Sequence, residues 1–196
     1  MASKNIPANS WVHDKKRLTA LAHTIDKSVR LYTKDNWFCK VLAVLLHGLT
    51  FGGMSYRVFL DRFATTIGPL QFFPAAWNAA QVERVVVHES RHTRQARWFG
   101  LGIHPWIGLP VFGVLYLLVF LPIGLAFFRA LFERDAMRYE LRWHYRKGSM
   151  TKEQVIERAT RFGNTVCSSK YGWALPKAWG VRWFESAAER IVAEAA

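Results

Sequence analysis

The sequence predicts a mainly helical chain with a small β element, an α+β arrangement to which an apolar helical hairpin is added. Three observations lead there. Apolar residues recur at helical spacing from Leu18 to Tyr32, and residues 79–98 run without an interior proline or glycine. Residues 54–77, MSYRVFLDRFATTIGPLQFFPAAW, gather β-branched and aromatic residues around Gly68, Pro69 and Pro74, which favours extended segments over helix.

The first residues, MASKNIPANSWVHDKKR, lack the apolar core of a secretory signal, so export by that route is not expected. Leu18, Leu21, Ala22, Ile25 and Val29, with basic residues between them, predict a basic amphipathic helix. Residues 1–35 are therefore read as a basic arm with this helix. No repeat or low-complexity linker interrupts residues 36–196, which are read as one domain with the hairpin at about 106–128.

Within that domain VLAVLLHGLTFGGM (41–54) predicts a buried helix followed by a turn, since His47 and three glycines interrupt a run already short for a membrane span. Leu70 to Phe73 predicts a short strand. Asn78 can cap a helix from Ala79 through Trp98. Between Trp98 and Phe128 there is no Asp, Glu, Lys or Arg, and VFGVLYLLVFLPIGLAFF is apolar enough to suggest a membrane. A helix then continues to about Tyr145 and stops near Gly148, and SMTKEQ opens another over Thr151 to Phe162.

The net charge of +13 predicts attraction to anionic surfaces, whether lipid, cell wall, nucleic acid or an acidic partner. The basic residues are spread along the chain and no standard nucleic-acid module is present, so specific nucleic-acid recognition is not expected. Cys39 and Cys167, the two cysteines, lie far apart and outside any C-x-x-C spacing, which fits a reducing compartment.

Residues 85–92 read VVVHESRH, and His88, Glu89 and His92 form H-E-x-x-H. Positions four apart share a helix face, so both imidazoles can reach one ion. Glu89 can then take the proton of a water polarised by that ion, the division of labour in zinc peptidases with this motif. The three preceding valines suit a helix in a core, where two imidazoles and a carboxylate are costly unless a metal compensates them. The competing reading is a core helix whose histidines are satisfied by ordinary hydrogen bonds. A third ligand is needed, and Glu133, Asp135 and Glu140 are the acidic candidates downstream; spacing does not choose among them.

TTIGPLQFFPAAW, VERVVVHESRHTRQ and YLLVFLPIGLAFFRALFERDAMRYE together resemble a group of small, mostly uncharacterised H-E-x-x-H proteins of bacteria and tailed phages classed as metallopeptidases, allied to the gluzincins, the thermolysin-like H-E-x-x-H class. The resemblance spans about residues 63–143. It implies a zincin-like helix pair, a zinc ion, and a third ligand from an E-x-x-A stretch, here ERDA and hence Glu133. It also implies that Leu70 to Phe73 faces the substrate. Met137 stands where thermolysin has an aspartate, so the resemblance supplies no carboxylate to orient a histidine.

A single membrane span over Val111 to Phe128 would separate His92 from Glu133 by about the bilayer thickness, which conflicts with a shared ion. LPIG (121–124) resolves the conflict as a reversal in a helical hairpin, either dipping into one leaflet or packing in a core. Tyr139, His144, Tyr145 and Tyr171 are available as oxyanion donors, while His13, His23, His47 and His104 have no partner at ligand spacing. YGWALPKAWGVRWF (171–184) is expected to pack on the main domain.

The expected function is therefore a zinc metallopeptidase with His88, His92 and Glu133 on the metal and Glu89 as general base, acting on a peptide or protein. Its expected place is cytoplasmic or monotopic on an anionic membrane or envelope surface. The alternative is a non-catalytic assembly protein, a phage virion or membrane-associated component, that keeps a zinc site. A third reading is a metal-free basic module that binds membrane surfaces.

Overall fold

The computed structural model describes residues 10–49, 55–117, 126–168 and 175–194. Helices dominate these residues, and a three-stranded sheet is the small β element. The chain divides into two compact units, 1–94 and 95–196, with the division falling inside a helix.

The first unit begins with a 3-10 turn, Trp11–Asp14, capped by Ser10. Trp11 is fully buried; its indole donates to the Pro74 carbonyl at 3.0 Å and its ring meets Phe73 edge-on. Helix α1 (Lys15–His23) buries Leu18 and Ala22 as its periodicity predicts. It ends well before Tyr32. Asp26 Oδ1 accepts from both the Ser28 amide and hydroxyl, closing a turn, and Arg30–Thr33 continues as strand β1. The period of two wins over the helical spacing there, because Val29 and Leu31 point inward while Arg30 and Tyr32 are exposed.

Helix α2 (Trp37–Leu49) forms where a helix is expected, but it is not the buried helix expected. Cys39 and Ala43 are fully buried, whereas Trp37, Val41, Val44 and Leu45 are 75, 49, 61 and 55% exposed. Helix α3 (Tyr56–Arg62) replaces part of the extended stretch expected over 54–77. Tyr56, Phe59, Leu60 and Phe63 have the i, i+3, i+4, i+7 spacing of a helix, and this outweighs β propensity.

Strands β2 (Thr65–Ile67) and β3 (Leu70–Phe73) form a tight hairpin around Gly68, whose φ of 56° suits glycine. The sheet order is β1-β3-β2, with β1 parallel and β2 antiparallel to β3. Leu70–Phe73 is thus a strand, as expected, but it is the central one. Helix α4 (Ala79–Phe99) follows, its start fixed by a reciprocal cap in which Asn78 Oδ1 accepts from the Gln81 amide and Gln81 Oε1 from the Asn78 amide.

Among the described residues, the second unit contains the end of α4 and four further helices, α5 (Pro105–Leu117), α6 (Ala126–Arg146), α7 (Lys152–Val166) and α8 (Lys177–Ala193). Met137 and Leu141 of α6, Val155 and Ala159 of α7, and Phe184, Ala188 and Ile191 of α8 form its core. Helix α6 stops as expected, with Gly148 at φ 70° and the Ser149 amide donating to the His144 carbonyl. Thr151 and Gln154 form the capping box anticipated for α7.

In the described part of 171–184, Trp179 and Trp183 stack on each other, Arg134 lies over the Trp183 ring, and Phe184 is fully buried. This stretch packs within its own unit. The hairpin turn at 121–124 and Tyr171 lie outside the described residues. Among the described residues no helix is long and apolar enough to cross a membrane. Cys39 and Cys167 are buried free thiols, both raised above the ordinary thiol pKa by burial.

Candidate metal centre

Helix α4 is buried along its middle on several faces, with Val82, Val86, Val87, His88, Ser90, His92 and Thr93 all inaccessible or nearly so. Three polar side chains fasten it to the β2–β3 hairpin. The Thr66 hydroxyl of β2 donates to Glu89 Oε2 at 2.6 Å, Gln71 Nε2 of β3 donates to Ser90 Oγ at 3.0 Å, and Thr93 Oγ1 donates to the Gly68 carbonyl at 2.8 Å. Each satisfies a group that would be costly to bury unpaired. Together they fix the rotation of α4 about its axis.

With that rotation set, the four-residue spacing brings His88 and His92 together, Nε2 to Nε2 at 3.2 Å, with ring centroids 4.9 Å apart and ring planes at 77°. Their ligand atoms and a carboxylate oxygen of Glu133 all lie within 4.8 Å of one another, and all three residues are buried. Of the three acidic candidates, Glu133 is the one that joins the histidines. Asp135 accepts from Gln95 at 2.8 Å, and Glu140 faces Arg158 at 3.3 Å.

This group could hold a metal ion, and its geometry can be compared with that of zinc. Two nitrogens each bound to one tetrahedral zinc stand about 3.3 Å apart, close to the separation found here, and two imidazoles with one carboxylate are a borderline-soft set that zinc accepts. Burial adds to the case, because neutral imidazole nitrogens and a carboxylate facing one another are stabilised by a shared cation. Glu89 is half-buried and adjacent in sequence to His88.

Several participants have no motif to announce them. Thr66 sits in the quoted TTIGPL stretch, but its bond to Glu89 follows from the hairpin register and has no sequence signature. Gln95 donates to both the Phe132 carbonyl and Asp135 Oδ2, gripping the turn of α6 that carries Glu133. Lys34, just after β1, is 2% exposed; its ammonium donates to the Phe59 carbonyl at 2.8 Å and lies 3.6 Å from the Phe59 ring centre. Burial lowers its pKa to about 8, with Cys39 and Glu89 opposing the shift.

Several other predicted polar candidates lie elsewhere. His144 and Tyr145 are eleven and twelve residues beyond Glu133 on α6, about 16 to 18 Å along the helix axis. His144 Nδ1 meets Ser149 Oγ at 2.9 Å, at the helix end. His23 Nε2 meets the Val29 carbonyl, and His104 Nδ1 accepts from the Trp106 amide, both local contacts. No family model matches the chain, and no curated protein or solved structure matches it.

Proposed function

We propose that the protein is a zinc-dependent peptidase of the zincin kind, with His88, His92 and Glu133 holding the ion. The observation that carries this reading is the convergence of those three buried ligands, with Glu89 next to His88 in sequence and its carboxylate held by Thr66. A purely structural zinc centre ordinarily takes four protein ligands and has no use for an adjacent base. Among the described residues this group offers three.

Bound zinc would act as a Lewis acid, polarising a water and the scissile carbonyl. Glu89 Oε1 and Oε2 are the proton-handling atoms: the carboxylate takes a proton from the attacking water and gives it to the leaving amine. The Thr66 hydroxyl holds one of these oxygens at 2.6 Å and so limits the orientations the carboxylate samples. His88 and His92 are kept in register by the Ser90 and Thr93 bonds on the same helix.

The substrate strand would lie on β2 and not on Leu70–Phe73. Both edges of β3 are already paired, whereas β2 is an outer strand of the sheet and carries Thr66, the residue touching Glu89. An extended peptide added there would bring its backbone beside the base.

The decisive experiment is elemental analysis of purified wild type, His92→Ala and Glu133→Gln. About one zinc per chain in wild type, lost or greatly reduced in both variants, is the expected result. A screen of mixed peptides then compares wild type with Glu89→Gln, which should keep zinc and lose hydrolysis. Absence of zinc from wild type grown with the metal would overturn the reading, and zinc without Glu89-dependent hydrolysis would leave a structural site.

A further inference from the structure

The second unit carries an apolar surface that the metal centre does not use. Helix α5 has no charged residue, and Asp, Glu, Lys and Arg are absent from all of residues 99–127. One face of α5 is firmly placed. Gly108 lies flat against the end of α4, where a Cβ would come within 1.9 Å of the Ala96 carbonyl, and Phe112 packs on Phe99 and Phe132.

That contact turns the opposite face outward. Ile107, Val111 and Val114 are 56, 50 and 58% exposed and follow one another at the spacing of a single helical stripe, with Trp106, 44% exposed, at its margin. Leu101 and Ile103, in the turn before α5, are 87 and 67% exposed and extend the same character. A helix packed on a water-soluble core normally sets polar residues on its outer face. Here the outer face is as apolar as the inner one.

Charge and aromatic placement decide the occupant. The uncharged stretch is bounded by Arg97 and Arg129, Trp98 beside Arg97 is 73% exposed, and the chain carries a net charge of +13. Apolar residues between arginines and tryptophans are the arrangement that seats in the headgroup zone of a bilayer with anionic lipid. Over its described length of thirteen residues, about 20 Å, helix α5 is shorter than the roughly 30 Å hydrocarbon core. We infer that the outer stripe of α5, with Leu101 and Ile103, docks this protein on the surface of an anionic membrane. The inference is independent of the peptidase reading.

The test is flotation of the full chain with vesicles of phosphatidylcholine containing a quarter phosphatidylglycerol, and with vesicles of phosphatidylcholine alone. Two variants of equal charge change are compared: Ile107→Asp with Val111→Asp on the stripe, and Asn164→Asp with Thr165→Asp on the exposed side of α7. Each half-exposed aliphatic side chain withdrawn from lipid is worth about tenfold in partitioning. Wild type and the α7 variant should float with the anionic vesicles, and the stripe variant should bind at least about tenfold more weakly while melting at the same temperature.

Failure of wild type to float, or equal flotation of the two variants, would overturn the inference. So would a wild-type dimer that becomes monomeric in the stripe variant without any vesicle binding, since the stripe would then belong to a second copy. Should the stripe variant melt early, Val114→Asp replaces it, with Asn164→Asp alone as its control of equal charge change, and the same tenfold difference is expected.

Discussion

The Thr66 hydroxyl, on the outer strand β2, donates to Glu89 Oε2 on helix α4 at 2.6 Å. This single bond joins the proposed base to the strand along which substrate would lie. A hydrogen bond to a carboxylate is worth about 1.5–3 kcal/mol. Thr66→Val keeps the shape of the side chain and removes the donor. For the peptide hydrolysed by wild type, kcat should fall about tenfold with KM nearly unchanged, zinc content should stay at the wild-type level, and Thr66→Ser should recover most of the rate. An unchanged kcat would show that Glu89 needs no such tether.

Gln95 provides a second test, away from the ligands themselves. Its amide nitrogen bonds the Phe132 carbonyl at 3.0 Å and Asp135 Oδ2 at 2.8 Å, on either side of Glu133 in sequence. Gln95→Leu preserves volume and releases that turn of α6. Groups that orient metal ligands typically contribute about 10- to 100-fold in metal affinity. Competition with a chromophoric chelator should therefore show zinc held about tenfold more weakly in Gln95→Leu, with the helical circular dichroism intact. Equal affinity would mean that Glu133 is placed by the rest of α6.

What could be read from sequence was what is local. The caps of α4 and α7 are side-chain chemistry within three residues, Asn78 with Gln81 and Thr151 with Gln154, and both helices begin where those pairs place them. The His88 and His92 pair is likewise a matter of four residues on one helix. Long-range pairing is different in kind. Strand β1 exists because Arg30–Thr33 lies parallel to Leu70–Phe73, forty residues on, and nothing near Leu31 signals that partner. Helix α2 was legible as a helix, but periodicity reports spacing and not which side meets a partner, so its exposed Trp37, Val44 and Leu45 were unforeseen. Glu133 needed the resemblance, because Glu133, Asp135 and Glu140 are equivalent on spacing alone.

In the second unit, the contact between α7 and α8 depends on glycine. A Cβ on Gly163 would stand 2.8 Å from Val181 Cα, which is backbone and cannot swing aside. Gly163→Ala gains up to about 1 kcal/mol in helix propensity but forces the helices apart, and overpacking of this kind costs about 1–3 kcal/mol. The urea midpoint should fall without a change in slope. A midpoint at or above wild type would show that α8 can shift to accept the methyl group.

Lys34 gives a stability signature with a definite sign. Burial lowers its pKa from 10.5 to about 8, against the smaller opposing effects of Cys39 and Glu89. Below pH 8 both folded and unfolded chains carry the charge, and the folded state bears the full cost of burying it. Between about 8 and 10.5 the unfolded chain holds this proton while the folded one has released it, so stability rises with pH. The shift corresponds to about 3 kcal/mol across that window. Cys39 acts the other way above pH 9, since burial raises its pKa and the unfolded thiol ionises first. Comparison with Lys34→Met cancels most of that effect. The variant removes the buried charge but leaves the Phe59 carbonyl without its donor, so at pH 7 the two proteins should differ little. From pH 8 to 10.5 wild type should gain about 3 kcal/mol over the variant in urea unfolding. Parallel stability curves would mean that the ammonium is solvated well enough to keep its ordinary pKa.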